Sequence, residues 1–221
     1  MRMALNQLLE RRLQSRSDLH LARKLWHISI GLCGLLAYVH LDHYLTHLDF
    51  VRIALGIGIF SLLGDVLRLN VPAVNEAVVK LMGPFMRKSE ISAPSGMPFY
   101  ALGVACALYF SSPKVGFLAV MFLVFADPVA SAVGVRYGTS QIVKGKSLEG
   151  TLACFLVCYF LSLSYCLHYS DGTWSLVAFS LAAALIGSVS ELVSVYLDDN
   201  FTIPVISALG IEQINSVLNI L

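Results

Sequence analysis

The chain has 221 residues, 57% of them hydrophobic and only 13% charged, with a mean hydropathy of +0.75. A soluble domain carries roughly 25% charged residues, so this composition, with its long uncharged runs, places the chain in a lipid bilayer. A secreted disulfide scaffold and a disordered tail are excluded, and a net charge of +1 leaves no basic footprint for nucleic acid.

The first 25 residues hold Arg2, Arg11, Arg12, Arg16, Arg23 and Lys24, too much charge for a cleavable signal peptide. Leu5, Leu8, Leu9 and Leu13 have the spacing of an amphipathic surface helix. Residues 1–25 therefore read as a cytoplasmic arm in front of one transmembrane domain, 26–221. Within that domain the runs free of Asp, Glu, Lys and Arg are Ile28–Leu41, Ile53–Gly64, Ile91–Pro113, Val115–Ala126, Gly150–Ser170, Gly172–Ser190 and Phe201–Ile211. Crossing a ~30 Å hydrocarbon core takes about 20 helical residues, and a helix pairs its own backbone groups. Extending the runs to their polar flanks predicts an all-α polytopic bundle of about seven spans, near 26–41, 50–69, 96–112, 115–135, 150–169, 174–196 and 203–221. The first and last are short, so six spans with a re-entrant or surface segment is the alternative.

Basic residues set the orientation. Six lie in the arm, four follow span two (Arg68, Lys80, Arg87, Lys88) and three follow span four (Arg136, Lys144, Lys146). The opposite loops hold Lys114, and Arg52 sits just inside span two. The arm and these two loops are expected on the cytoplasmic side and, with seven spans, the C-terminus outside.

A charge within an apolar helix costs at least ~2.5 kcal/mol on insertion scales, so each asks for a reason. Polar and small residues recur at helical spacing in four spans: Arg23, His27, Gly31 and Gly34; Gly58, Ser61, Asp65 and Arg68; Asp127, Ser131, Gly134 and Gly138; Gly187, Glu191, Ser194 and Asp198. Any one stripe reads equally as a packing seam, with Asp65 and Arg68 a paired couple. Four at one depth predict a charged cavity near the inner leaflet. Pro128 lacks an amide hydrogen and its ring crowds the Val124 carbonyl, so span four is expected to kink or break beside Asp127, which a membrane tolerates only next to a polar cavity.

Loop 136–150 reads as a phosphate site. Arg136, Lys144 and Lys146 bring charge, Gly138 and Gly145 bring backbone freedom, and Ser147 is a candidate N-cap that aims the amides of span five at the same cavity. Six residues separate Gly138 from Gly145 and no strand precedes them, so a Walker motif is rejected. Asp198, Asp199 and Asn200, expected to close span six, join Asp127 and Glu191 as hard oxygen ligands of the kind Mg²⁺ with nucleotide phosphates prefers; the alternative is a helix-ending polar turn before Pro204.

The five cysteines lie within spans and read as small apolar packing. His40, His43 and His47, with Asp42 and Asp49, read as a solvated outer turn. His27 differs, because its stripe faces the expected cavity. Trp26 and Trp174 read as interface anchors, and the sequon Asn200-Phe201-Thr202 has no use on the cytoplasmic side.

Five motifs stand in register: Arg23-Lys24-Leu25-Trp26-His27; Arg87-Lys88-Ser89-Glu90 leading to Ser95-Gly96-Met97-Pro98-Phe99-Tyr100 and Gly103; Phe125-Ala126-Asp127-Pro128-Val129-Ala130-Ser131 with Gly134 and Tyr137-Gly138; Lys146-Ser147-Leu148-Glu149-Gly150; and Glu191 before Leu197-Asp198-Asp199-Asn200-Phe201-Thr202-Ile203-Pro204. Over roughly residues 22–210 this series resembles the polyprenol kinase family of dolichol kinases, phytol kinases and CTP-dependent diacylglycerol kinases. The resemblance implies phosphoryl transfer from a nucleoside triphosphate, typically CTP, to the hydroxyl of a membrane lipid alcohol. Two departures stand out. Ala126 and Pro128 flank Asp127 where members often have Gly before the aspartate, and the Lys-Asp and His-Gly-Gly pattern of phosphatidate cytidylyltransferases is absent.

On that resemblance Mg²⁺ and the triphosphate are expected among Asp127, Asp198, Asp199 and Asn200. Lys144, Lys146 and Arg136 hold phosphate oxygens, with Gly138, Ser147 and Glu149 around them. Asp127 or Glu191 takes the proton, and Arg23, Lys24, His27, Asp65, Arg68, Arg87, Glu90, Ser131 and Gly134 line the cavity. A phosphatidate cytidylyltransferase-like enzyme and a small membrane transporter are the alternatives.

Overall fold

In hydrocarbon a backbone survives only if it pairs its own hydrogen-bonding groups, and the chain does so almost entirely with helices. The computed structural model describes residues 21–169, 174–195 and 197–221. The expected arm helix around Leu5, Leu8, Leu9 and Leu13, and Arg2, Arg11, Arg12 and Arg16, lie outside the described residues. The last residues assigned to the arm, from Leu21 onward, run on into α1 (Leu21–His40). Next comes α2 (His47–Asn70), opened by a capping box in which Thr46 Oγ1 accepts from the Asp49 N–H and Asp49 Oδ2 from the Thr46 N–H. Pro72 starts α3 (Pro72–Met82) at a position whose N–H is unused. Two short 3₁₀ turns, Gly83–Phe85 and Lys88–Ile91, lead to α4 (Gly96–Tyr109). The rod α5 (Pro113–Tyr137) is followed by the strands β1 (Gln141–Val143) and β2 (Lys146–Ser147), then α6 (Leu148–Cys166), α7 (Trp174–Val193) and α8 (Asp199–Leu218).

Among the described residues five helices, α2, α5, α6, α7 and α8, are long and apolar enough to cross a membrane, which makes this a polytopic helical membrane protein. The other two expected spans correspond to α1 and to α4, whose 14 residues reach about 21 Å. The α5 rod occupies the centre, against α1, α4, α6 and α8. Around it Leu118, Phe122, Leu123, Phe179, Ile203 and Ile211 are fully buried. The outward faces remain apolar, as in Phe60 and Leu63 of α2, and suit lipid rather than water.

Three details differ from the sequence reading. The loop after α5 is a small antiparallel hairpin, so the fold is not purely helical; strands of two and three residues leave no periodic signal. Asp198, Asp199 and Asn200 open the last helix instead of closing α7. Asp198 Oδ1 accepts from the Asn200 N–H at 3.1 Å as an N-cap, and Pro204 sits inside α8. His47 is no solvated turn residue: it accepts from the Tyr38 hydroxyl at 2.7 Å through Nδ1 and donates to the Leu108 carbonyl at 2.8 Å through Nε2, tying α1, α2 and α4 together.

The missing N–H of Pro204 leaves the Asn200 carbonyl without its helical donor, and Gly103 of α4 packs over it. A Cβ at Gly103 would lie 2.5 Å from that oxygen and 2.8 Å from Phe201 Cα, both backbone atoms that cannot rotate away. Gly103→Ala is therefore expected to part α4 from α8 and destabilise the protein by about 1–3 kcal/mol, read as a lower thermal midpoint in detergent. Gly34→Ala, whose Cβ would enter open space, is the control and does not lower the midpoint, since alanine favours a helix interior over glycine.

Candidate active site

The break expected at Pro128 is a π turn, Phe122–Ala126, in which the Asp127 N–H bonds to the Phe122 carbonyl. The next donor in that register would serve the Leu123 carbonyl, but it belongs to Pro128 and does not exist. His27 of α1 supplies the replacement, with Nε2 2.9 Å from the Leu123 oxygen. A carbonyl can only accept, so Nε2 carries the proton. The widened turn also delivers the Asp127 side chain into a cavity of about 610 Å³ enclosed by α1, α5, the hairpin, α6, α7 and α8, within the range of small-molecule and cofactor sites.

Cations and carboxylates alternate around its wall. Lys146 Nζ is 2.5 Å from Glu191 Oε1; Glu191 is buried and Lys146 partly so. Thr151 Oγ1 donates to the other oxygen of Glu191 at 3.3 Å, so Glu191 is occupied on both sides. Arg87 faces Asp199 at 3.6 Å and Asp198 at 3.8 Å. Asp127 lies near His27, Lys146 and Arg87, and near the like charge of Asp199. Lys24 contributes a buried ammonium with no hydrogen-bond partner among the described residues. A buried cation without a partner is costly, and an anionic ligand is what would relieve it. The amino ends of α6, capped by Ser147 Oγ accepting from the Gly150 N–H, and of α8 also face the cavity, adding the partial positive charge of helix N-termini.

Burial works against the charge on Lys146, but Glu191, Asp127 and Asp199 outweigh it and raise its pKa. Arg87 behaves alike: burial opposes the charge, while Asp199, Asp198, Glu90 and Asp127 stabilise it and carry its pKa upward. Both stay protonated at any physiological pH. Asp198 moves the other way for a carboxyl, since burial and then Asp199 push its pKa up to about 6.

Several residues expected at the site lie elsewhere. Lys144 and Arg136 are exposed, the latter donating to the Tyr137 hydroxyl at 3.1 Å. Glu149 accepts from Thr139 Oγ1 at 2.5 Å and braces the hairpin. Gly138 does line the cavity, with an ordinary φ of −66°; a Cβ there would meet the Gly134 carbonyl oxygen and, at 2.6 Å, Ser147 Oγ. Gly145, at φ +80°, does use the conformational freedom of glycine in the hairpin turn. Asp65 and Arg68 form a buried pair whose remaining bonds hold the segment before α4: Asp65 accepts from the Ser95 N–H at 2.6 Å, and Arg68 donates to the Glu90 and Ala93 carbonyls at 2.8 Å each. Glu90 in turn pairs with Arg23 at 2.8 Å. Ser131 and Gly134 line the cavity wall.

Asn200 Nδ2 donates to Asp198 Oδ1 at 2.8 Å and lies 3.4 Å from the Gly96 carbonyl. Among the described residues no three His, Cys, Asp or Glu side chains converge into a metal-holding group. Asp199 and Asn200 do present hard oxygens to the cavity, and Mg²⁺ bound through one carboxylate and substrate phosphates needs no more.

Sequence reasoning overlooked Thr151 and gave Tyr100 no role. It also missed a second cavity of about 150 Å³ between α1, α2, α3 and α4, mostly apolar in surface but with Asp65, Arg68 and Glu90 in its lining, which shares Arg23, His27 and Asn200 with the first. The motif Ser95–Tyr100 was the one available signal for it.

Fold and site together define a polytopic membrane protein with a buried pocket suited to a polyanion. No family model matches the chain, and no solved structure matches it. The CTP-dependent diacylglycerol kinase 1 of Eremothecium gossypii is 37% identical, over 87% of this chain and 66% of that protein. The protein of the same name from Schizosaccharomyces pombe is 35% identical, over 84% of this chain and 89% of its own length. A probable chloroplastic phytol kinase 3 of Glycine max is 32% identical, over 87% of this chain and 62% of that protein. The chain belongs to the polyprenol kinase family.

Asp198 yields a pH prediction. Its folded pKa of about 6 lies above its unfolded value of 3.8, so between these values the folded state holds more protons, and stability from this group rises as pH falls. Asp198→Asn keeps the capping oxygen and removes the titration. The stability of wild type relative to D198N is expected to rise by on the order of 2 kcal/mol as pH falls from 7 to 4, measured by thermal melts in detergent across that range.

Proposed function

We propose that the protein transfers the γ-phosphoryl group of CTP to the hydroxyl of a membrane lipid alcohol, either a diacylglycerol or a prenyl alcohol such as phytol. The observation that carries this reading is the cavity holding Lys24, Lys146 and Arg87 opposite Asp127 and Asp199, with Lys24 unpartnered among the described residues. It supplies the positioning and charge neutralisation that phosphoryl transfer needs in place of covalent help. The preference for CTP, and the class of alcohol, are taken from the relatives' names.

Lys24, Lys146 and Arg87 hold phosphate oxygens. Glu191, engaged by both Lys146 and Thr151, positions Lys146 and is not the base. Asp127 receives the proton of the attacking hydroxyl. The acceptor oxygen forms its bond to Pγ as the bond from Pγ to the β–γ bridging oxygen breaks, and CDP leaves. Asp199 and Asn200 fit Mg²⁺, which when bound neutralises charge on the transferring phosphates. Asp198 caps α8 and orients Arg87. The domain begins with α1 behind the N-terminal arm, crosses the bilayer seven times with α1 and α4 included, and carries this cavity on the cytoplasmic side, where the nucleotide is found.

In the test, purified protein in mixed micelles receives γ-labelled CTP and a lipid alcohol. The expected products are a labelled lipid monophosphate and CDP. A CDP-lipid with pyrophosphate would mean cytidylyl transfer, and lipid or solute movement without either product a carrier. Asp127→Asn is expected to lower kcat by 10²-fold or more and Lys146→Ala by a similar factor, with thermal midpoints close to wild type. Turnover within threefold of wild type in D127N would overturn the assignment.

A further inference from the structure

Three residues of α1, spaced to share one helix face, each meet a different partner. Arg23 Nη1 pairs with Glu90 at 2.8 Å, and His27 Nε2 donates to the Leu123 carbonyl at 2.9 Å. Gly31 leaves room for Val124, whose side chain a Cβ there would strike. This face is the seam along which α1 lies on the π turn of α5. Lys24, next to Arg23, joins the lining of the charged cavity from the same turn of α1.

Among these contacts, the His27 bond is the one made to the backbone of the turn that carries Asp127. The Asp127 N–H is spent on the Phe122 carbonyl, and Pro128 has no N–H to give to the carbonyl that follows. Leu123 is fully buried, so water has no access to stand in for the imidazole. A buried acceptor left empty is costly, and without His27 the π turn has no means of holding its shape.

We infer that His27 is a positioning residue, which keeps Asp127 aimed into the cavity by holding the Leu123 carbonyl and acts through that bond instead of on the reactants. The inference rests on the reading of Asp127 as the base. The same bond fixes α1 against α5, so the helix that brings Lys24 to the phosphates and the turn that brings Asp127 to the acceptor keep one alignment. Phosphate capture and proton removal are thereby held in step.

The proline supplies the test, because a backbone donor can replace the side chain. His27→Leu removes the bond and is expected to lower kcat by about tenfold or more, with KM for CTP little changed. His27→Gln, whose amide N–H reaches the same oxygen, is expected to keep kcat within about threefold of wild type. Pro128→Ala returns an N–H to position 128, where the π register directs it at the Leu123 carbonyl. In the P128A background, H27L is expected to cost less than about threefold in kcat, and to lower the thermal midpoint by less than half of what it does beside proline. A histidine that bound phosphate or relayed a proton would be rescued by neither change. Equal losses in H27L and H27Q, or a midpoint penalty for H27L as large in the P128A background as beside proline, would overturn the inference. Wild type that makes no lipid phosphate would overturn the lipid-kinase reading instead, and the four midpoints, which need no turnover, would still decide whether the bond holds the turn.

Discussion

The structure depends on a missing hydrogen bond. Pro128 cannot donate to the backbone, and the π turn before it leaves the Leu123 carbonyl to be served from another helix. An unsatisfied carbonyl in an apolar medium costs several kcal/mol, so α1 must lie where His27 can reach. That one requirement docks α1 on α5, carries Arg23 and Lys24 to the cavity, and turns Asp127 toward them.

The electrostatics follow from the same economy. Each ionised group in so apolar a chain needs an opposite charge close by, and the chain supplies it between distant segments: Lys146 with Glu191, Arg23 with Glu90, Arg87 with Asp198 and Asp199. Asp65 and Arg68 solve the problem locally, one helical turn apart, and spend their remaining bonds on the backbone before α4. Their role is to fix the segment that bears Arg87 and Glu90. Lys24 faces the charge of Asp127 but has no hydrogen-bond partner among the described residues, which leaves its ammonium able to take an added anion.

The helical membrane class and the approximate position of every helix but α3 were legible from the uncharged runs, because hydrocarbon penalises charge and unpaired backbone strongly; α3 carries Glu76 and Lys80 and leaves no such run. The break at Pro128 was legible for the same covalent reason. Asp127, Glu191, Lys146, Arg23, Lys24, His27 and Arg87 do line one cavity or its rim. What sequence could not convey was direction. Loop charge indicates a side of the bilayer but not whether a side chain turns in or out, so Arg136 and Lys144 were grouped with Lys146 although they face away. The pairing of Glu191 with a residue of the hairpin, and the smaller cavity made by side chains of α1, α2, α3, α4 and α8, are products of packing that no spacing rule encodes.

The partition formed by Arg23, His27 and Asn200 has a consequence for how the two reactants meet. One compartment is lined chiefly by ionic groups; the other is mostly apolar in surface but has Arg23, Asp65, Arg68 and Glu90 in its lining. On the proposed function, reactants that never share a solvent would have only the side chains of this partition between them.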